Sequence, residues 1–444
     1  MRAAIAAFVA IASLAPSCAF ASGEPPAPTV ERRDGSTIVR QPDPRSALVG
    51  IAIVVSAGLN RQTMKQNGLA ALVAQTILQT PVTPAKSQVP IPLEQAVAAG
   101  GGSVHFAVDP EDVRFYVEAL AEDANAVAEA MRSALAAPDF SAATVRQARA
   151  ALTRRLALSP QYAQYALQVG LDMLNQASSS EANAGLPALG TPASLAQLVP
   201  SDVQRFYKAY YRRGGVVVSA VGRLDALNAD ALSSLADALP EGTTNAVSVR
   251  VPALHGVSRE IVAHRDIASP WLIAQYPAPG VNSRDFGPML VLAAFIRRTL
   301  AEIAQVPGVV SPTFASRAVG VDYSYDRDPA HLVLYVNGGI GNPSRAFATA
   351  LSVVGVLAAT RLQGSIDEFK AEAAGDFATA ATTLETRAWL AAVFARANAS
   401  PDFLGRALQA ISGTTALDVQ RVARAYLGNP TIALVLPRDS SPQN

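Results

Sequence analysis

The sequence predicts an α+β protein of two homologous α/β modules, and three observations lead to this prediction. Residues 202–205 (DVQR) recur at 418–421, an offset of 418 − 202 = 216, and each copy leads through Ala-Tyr to a short apolar run. Apolar runs rich in β-branched residues alternate along the chain with stretches of helical period. The 444 residues are enough for two or more domains of ordinary size.

The first 21 residues predict a secretory signal peptide. Arg2 precedes an apolar run at 3–14, and Ala19-Phe20-Ala21 matches a signal-peptidase site. Cys18 is the only cysteine, so cleavage would leave no disulfide. Lipidation of Cys18 is the alternative, although the residues before it match that signal poorly. We therefore expect a periplasmic or secreted protein, and no later apolar run reaches the ~18 residues of a membrane span.

Composition indicates a packed globular protein. Half of the residues are hydrophobic, 16% are charged, and the formal net charge is +1. Nucleic-acid binding would require a clustered basic surface, which 36 Lys+Arg against 35 Asp+Glu do not indicate. We expect no nucleic-acid partner.

The first module is assigned to residues 37–239. A β-branched run at 47–55 predicts a strand, and 68–78 predicts a helix that ends before Pro81. Further predictions are a loop at 81–92, a helix at 92–99 that ends at three glycines, and a strand at 112–117 before a helix that reaches 135. The module closes with helices at 141–156 and 202–211 and a strand at 216–221.

The second module is assigned to residues 252–437, after a polar linker at 240–251. It repeats the pattern, with strands at 332–336 and 431–436 and a helix at 344–357. Residues 322–328 (DYSYDRD) alternate tyrosines with charges, which predicts a solvated strand edge.

Residues 68–80 (GLAALVAQTILQT), followed in order by 138–156, 186–225 and 366–391, resemble the insulinase and mitochondrial-processing-peptidase family of zinc peptidases. The resemblance covers nearly the whole chain after the signal. It implies that each module is a mostly antiparallel sheet covered by helices and that the two modules enclose a chamber. In such proteins extended peptides add to a sheet edge through backbone hydrogen bonds.

The resemblance places the family's zinc chemistry on residues that cannot perform it. Its helix reads G-x-A-H-x-x-E-H, so the two histidine ligands fall on Ala71 and Gln75 and the general base falls on Ala74. The distal glutamate belongs on helix 141–156, where the register gives Arg155 or a neighbouring alanine. Zinc sites use imidazole, thiolate or carboxylate, and a guanidinium repels the metal.

The second module of catalytic relatives carries an arginine and a tyrosine that contact substrate. The similar segment here is 303–312, with Ala304 at the arginine position and a valine at the tyrosine position. The resemblance therefore implies a degenerate zinc motif, no zinc cofactor and no catalytic residues.

The sequence evidence for any other catalytic or metal site is weaker. None of the four histidines has a partner at the i,i+4 spacing of a zinc helix. Asp109, Glu111 and Asp112 are interpreted as turn and cap residues before a strand. Neither a G-x-S-x-G elbow nor a glycine-rich phosphate loop is present.

The leading hypothesis is a catalytically inactive homologue that forms the non-catalytic subunit of a heteromeric exported peptidase and contributes peptide-binding chamber surface. Its partners would be a catalytic paralogue with an intact H-x-x-E-H motif, and peptides. One alternative is a stand-alone periplasmic peptide-binding or scaffolding protein. A second is residual metallopeptidase activity through an unrecognised site.

Overall fold

The computed structural model describes residues 27–84, 89–161, 164–178, 185–244, 259–304, 319–325, 330–337, 366–428 and 430–438. The signal peptide predicted at 1–21, the helix predicted at 344–357 and most of the linker lie outside these residues.

A six-stranded sheet organises the first half of the chain. Its strand order is β1-β2-β8-β3-β7-β6, and all neighbours are antiparallel except the parallel pair β2 and β8. A two-stranded hairpin, β4 and β5, lies within the segment predicted as a loop. The strands are β1 (Thr29–Arg33), β2 (Ser36–Pro42), β3 (Leu48–Val55), β4 (Pro81–Val82), β5 (Ile91–Pro92), β6 (Ser103–Val108), β7 (Val113–Leu120) and β8 (Val217–Gly222).

Helices of the first half pack mainly on one face of this sheet. The helices are α1 (Leu69–Gln79), α2 (Leu93–Ala99), α3 (Ala124–Ala136), α4 (Ala142–Leu158), α5 (Tyr165–Ser178), α6 (Pro192–Gln197), α7 (Pro200–Tyr210) and α8 (Ala231–Asp237). Apart from α5, they share one apolar core with that face of the sheet.

A five-stranded sheet organises the second half, in the order β9-β13-β10-β12-β11. Its elements are β9 (Arg259–Arg265), β10 (Trp271–Pro277), α9 (Phe286–Ala304), β11 (Val319–Ser324), β12 (His331–Asn337), α10 (Ile366–Ala380), α11 (Leu384–Arg396), α12 (Phe403–Ser412), α13 (Ala416–Tyr426) and β13 (Thr431–Pro437). The parallel pair is β9 and β13, and the other neighbours are antiparallel.

The two sheets correspond strand for strand. The order β2-β8-β3-β7-β6 in the first half matches β9-β13-β10-β12-β11 in the second, including the position of the parallel pair. The hairpin strand β1 has no counterpart among the described strands of the second sheet. The predicted α+β fold of two homologous modules is therefore confirmed, while the enclosed chamber remains a prediction.

Each half donates one helix to the other half's sheet. Helix α11 packs on β2, β3 and β8 of the first sheet, on the face opposite to α1. Helix α5 packs on β9, β10 and β13 of the second sheet. Both faces of each central strand are consequently covered, which explains why β3 (LVGIAIVV) is apolar at every position.

Alternate residues of β3 show this arrangement directly. Ile51 and Ile53 face the core shared with α1, whereas Ala52 and Val54 face the second half. The side chains of a strand alternate between the two faces of its sheet. A strand whose side chains are buried on both faces lies between two packed layers. The apolar run at 47–55 therefore reflects contacts with both halves of the chain.

Candidate functional site

Helix α1 lies where the resemblance places a zinc helix. Gly68 caps its start with φ of +88°, a left-handed conformation that favours glycine. The α carbon of Gly190 lies close to Gly68, and a β carbon on either glycine would collide with the other's backbone. The glycine-containing loop before α6 therefore fits against the start of α1.

Side chains satisfy the ends of α1. Gln62 Oε1 accepts a hydrogen bond from the Ala70 amide at 3.1 Å, which provides a partner for one amide of the first turn. At the other end the Thr80 hydroxyl donates to the Thr76 carbonyl at 3.0 Å, and Pro81 follows. The helix thus begins and ends within about one residue of its prediction.

The three motif positions on α1 are core positions. Ala71 and Ala74 are 0% exposed and Gln75 is 7% exposed. They lie on a helix that packs extensively against α4, and the two alanines belong to the main core of the first half. Ala71 and Ala74 therefore contribute small packing side chains to the core, and Gln75 is a buried polar side chain beside them.

Arg155 lies near the end of α4 and is exposed. Its guanidinium carbon is 5.6 Å from the centre of the Phe106 ring on β6, which is a cation–π distance. Helix α4 packs against α1, and the assignment of the distal ligand position to Arg155 stays a prediction.

The groups at these four positions do not fit a zinc ion. Alanine methyls have no lone pair, a neutral amide is a poor zinc ligand, and a guanidinium carries positive charge. Within the described ranges, no three His, Cys, Asp or Glu side chains are grouped so that they could hold a metal. We therefore derive no step through zinc, and the prediction of no cofactor stays a prediction.

Two further positions complete the sequence-based site. Ala304 is the last residue of α9, and residues 305–312, with the valine at the tyrosine position, lie outside the described residues.

The resemblance expects the distal zinc glutamate on α4, but the next carboxylate after Asp139 is Asp172, on α5. Its Oδ1 accepts a hydrogen bond from Gln168 Nε2 at 2.9 Å. Asp172 thus belongs to the helix that covers the second sheet, not to α4.

The acidic loop between β6 and β7 differs from its prediction. Asp112 is buried and pairs with Arg396 on α11, which also pairs with Glu111. Burial raises the pKa of Asp112 to about 6, although Arg396 opposes this shift. Residues 109–112 do form the turn between β6 and β7, with the Asp109 amide donating to the Asp112 carbonyl at 2.9 Å. The pairing of Asp112 with Arg396 was not predicted, because this partner lies 284 residues away in sequence.

Residues 322–325 complete and follow the edge strand β11, and 326–328 lie outside the described residues. Asp322 is exposed as expected of a solvated edge, but Tyr323 is buried and its hydroxyl donates to the Pro279 carbonyl. Its ring and that of Tyr325 pack around Phe286 within the core of the second half. The alternation therefore marks an edge strand with one solvated side and one buried side.

Two more ion pairs connect the halves along α11. Arg387 Nη1 lies 3.1 Å from Asp43 Oδ2, and both side chains are largely buried. Burial raises the pKa of Asp43, but hydrogen bonds from Arg45 and Arg387 outweigh it and lower that pKa overall. His105 Nε2 lies 2.8 Å from Glu385 Oε1 near the surface. The charged face of α11 is therefore directed at the first half.

Comparison with known proteins agrees with this fold. The family model of insulinase, peptidase family M16, matches residues 37–191. The mitochondrial cytochrome b-c1 complex subunit 1 of Caenorhabditis elegans is 25% identical over 260 residues, which cover 58% of this chain and 53% of that protein. The chain thus spans about half the length of this curated relative.

Two solved structures share the fold over almost the whole chain. A peptidase M16 inactive domain from Pseudomonas fluorescens has a TM-score of 0.74 at 13% identity and covers 92% of this chain and 98% of its own. A protease from Helicobacter pylori has a TM-score of 0.71 at 14% identity, with 93% and 100% covered.

The resemblance to the insulinase family is confirmed by these findings. Residues 37–191 match the M16 peptidase family in sequence, and the fold is shared with these two solved structures over 92–93% of the chain.

Proposed function

We propose that this protein is a catalytically inactive M16 homologue that acts as the non-catalytic subunit of an exported, heteromeric peptidase. One observation carries the proposal. The positions that correspond to the zinc ligands and the general base hold Ala71, Ala74, Gln75 and Arg155, and the first three are packed into the core. A helix with this packing serves the fold and offers no metal ligand.

The role in a complex is supported by a relative and by a sheet edge. The similar protein from Caenorhabditis elegans is, by name, a subunit of a complex. Strand β6 pairs with β7 on one side and is an edge of the first sheet among the described strands. Its unpaired backbone groups can accept an extended peptide as an added strand. Peptide would then reach a catalytic partner that carries an intact H-x-x-E-H motif.

Export is proposed from the signal peptide predicted at 1–21, so the complex would form in the periplasm or outside the cell. Among the described residues, no helix has the length and apolar character that crossing a membrane requires.

The experiment is native mass spectrometry with metal quantification. This chain is co-expressed with a paralogue that retains H-x-x-E-H, and the chain alone is purified in parallel. We expect a stable heteromer with one zinc per pair, peptide cleavage by the pair, and neither zinc nor cleavage with the chain alone.

Two results would contradict the proposal in different ways. Stoichiometric zinc on this chain alone would support residual metallopeptidase activity through an unrecognised site. Absence of any complex, together with peptide binding by the chain alone, would support the stand-alone peptide-binding protein.

A further inference from the structure

A cavity of about 440 Å³ lies between the two halves of the chain. The first half contributes Val54 and Glu111, and the second half contributes the rest of its wall. Its volume is in the range of sites that hold a small ligand or part of a larger one. None of the four degenerate motif positions lines it, so it is separate from the position of the family's zinc helix.

One face of α11 forms the main wall. Trp389, Val393 and Arg396 line the cavity at helical spacing, so they project from the same side of the helix. Opposite them, Gly280 lines the cavity, and a β carbon added there would meet no atom within 4 Å. The wall is therefore mainly apolar and aromatic, with open space at Gly280.

The charged groups at this cavity are already paired, two carboxylates with one guanidinium. Glu111 pairs with Arg396, and Arg396 also pairs with the buried Asp112. An added carboxylate would be desolvated beside these two carboxylates, and an added ammonium would be desolvated beside Arg396, with no unpaired carboxylate to receive it; both are costly. Asn282 and Ser283 add an amide and a hydroxyl to the wall. The cavity therefore favours an uncharged occupant.

A second cavity, of about 130 Å³, shares Trp389 with the first. It lies beside the edge strand β6, where His105 and Ala107 line it, and Thr386 lines it from α11. Thr386 and Val393, one in each cavity wall, are about 10 Å apart along the helix. About three residues of extended chain cover this distance, so one peptide segment can reach both cavities.

We infer that the larger cavity binds an uncharged apolar side chain, aromatic or branched aliphatic, of a peptide that extends from the edge of β6. This inference deepens the proposed function, because it assigns a side-chain preference to the peptide-binding surface. Every residue that lines the cavity belongs to this chain, so the full chain alone is sufficient for the test.

Tryptophan fluorescence of the chain itself can report on peptide binding. Trp271 and Trp389 are its only tryptophans, and Trp271 packs elsewhere, beside Tyr335 on the second sheet. In the Trp271→Phe variant, tryptophan fluorescence reports on Trp389, which lines both cavities, and the Gly280 variants distinguish the larger one. In the Trp389→Phe variant, the remaining tryptophan serves as the matched control.

The probes are capped pentapeptides of threonine that differ only in the middle residue. We expect saturable changes in Trp389 emission with phenylalanine or leucine there, and at least tenfold weaker binding with lysine or aspartate.

Gly280→Leu, which fills the cavity, lowers affinity for the phenylalanine peptide at least tenfold, and Gly280→Ala lowers it less. Gly375→Leu, on an exposed helical face with equal space, leaves affinity unchanged.

Equal affinity for all four peptides, or affinity that Gly280→Leu and Gly280→Ala leave unchanged, overturns the inference but not the proposed function. A peptide response from Trp271 and not from Trp389 overturns it as well. If no peptide binds the chain by fluorescence or by calorimetry, both the inference and the proposed peptide-binding surface fail.

Discussion

At the residue scale, Ala71 and Ala74, the positions where the resemblance places family chemistry, are buried alanines of the core. Their side chains are fully buried in the core that α1 and α4 share. Small side chains allow two helices to approach closely, and a protein interior tolerates added volume poorly. Restoring the family's residues singly is therefore a test of packing.

We expect Ala74→Glu to destabilise the fold by roughly 3 kcal/mol or more, because it buries a carboxylate without a partner in a filled core. Ala150→Glu on α4 is the matched control, since Ala150 is exposed and its substitution is expected to change stability by less than about 0.5 kcal/mol. Urea unfolding of both variants measures the difference. Equal stabilities would show that the Ala74 position is accessible.

The second prediction concerns how stability depends on pH, and it rests on the buried Asp112. Its pKa is raised by burial from 3.8 to about 6 in the folded state. Between these values the folded chain holds a proton that the unfolded chain releases, so this group lowers stability as pH rises from about 4 to about 6. In Asp112→Asn this component is absent. The stability of the variant relative to the parent rises across that window by on the order of 2 kcal/mol.

Asp418→Asn is the control, because folding lowers the pKa of Asp418 whereas it raises that of Asp112. A hydrogen bond from Thr415 lowers the pKa of Asp418, so the stability from this group is present at neutral pH and lost as pH falls. Unfolding curves at several pH values compare the two variants. Parallel pH profiles of Asp112→Asn and the parent would contradict the prediction for Asp112.

The sequence predicts residue roles well where the cause is local. The helix that carries Ala71 and Ala74 was predicted correctly, because apolar period and end signals are local, while their lack of metal chemistry stays a prediction. The burial of Asp112 and of Tyr323 was missed, because their partners Arg396 and Pro279 are distant in sequence. No local pattern distinguishes a carboxylate in a turn from one that meets an arginine of the other half.

At the element scale, the repeated DVQR segment is explained by helix capping. Asp202 accepts from the Val199 amide at 3.1 Å and Asp418 from the Thr415 amide at 3.2 Å, and both lie in the first turn of their helices. Each aspartate also pairs with the arginine three residues later. The buried valine between them faces the core. The repeat therefore records the start of one helix in both halves.

The donated helix α5 gives an element-scale prediction. Gly170 faces Ile273 on β10, and a β carbon there would lie 2.4 Å from the Ile273 side chain. We expect Gly170→Ala to destabilise by about 1–3 kcal/mol, because the buried Ile273 side chain must leave its present rotamer or α5 must shift on the sheet. Gly375→Ala, within α10 and in open space, is expected to stabilise by about 0.5–1 kcal/mol through helix propensity. Thermal unfolding measures both, and a stabilising Gly170→Ala would show that α5 does not press on this strand.

Element positions were largely predictable, and element partners were not. The strand at 47–55 and the helices at 68–78 and 141–156 lie within two residues of β3, α1 and α4. The spacing of apolar residues and the residues that start or stop an element determine these bounds, and both are properties of the local sequence. That α5 and α11 cross to the opposite sheets could not be predicted, because an apolar helix face does not specify which sheet it covers.

At the scale of the whole molecule, the two halves complete each other's cores. Helix α11 covers Ala52 and Val54 of the first sheet, and α5 covers Ile273 of the second. Among the helices that the structure describes, the second face of each sheet is covered by a helix of the other half. We therefore expect one cooperative unfolding transition for the chain, with equal calorimetric and van't Hoff enthalpies.

Differential scanning calorimetry of the chain and of Arg387→Ala tests this expectation. Removing Arg387 leaves the buried Asp43 without its partner from the other half, so the single transition moves to lower temperature without dividing. Arg33→Ala, at an exposed pair within the first half, is the control and is expected to shift it little. Two resolved transitions in the parent chain would show that the halves fold independently.

The reciprocal exchange of α5 and α11 also has a consequence for ancestry. A single half, produced alone, would expose an apolar sheet face and carry a helix with no sheet to cover. A second copy of the same half could supply the missing helix and receive one in return. The arrangement is thus what remains when a symmetric homodimer that swaps one helix per subunit is fused into one polypeptide by gene duplication. After fusion each copy could diverge, and residues once held identical by symmetry became free to specialise.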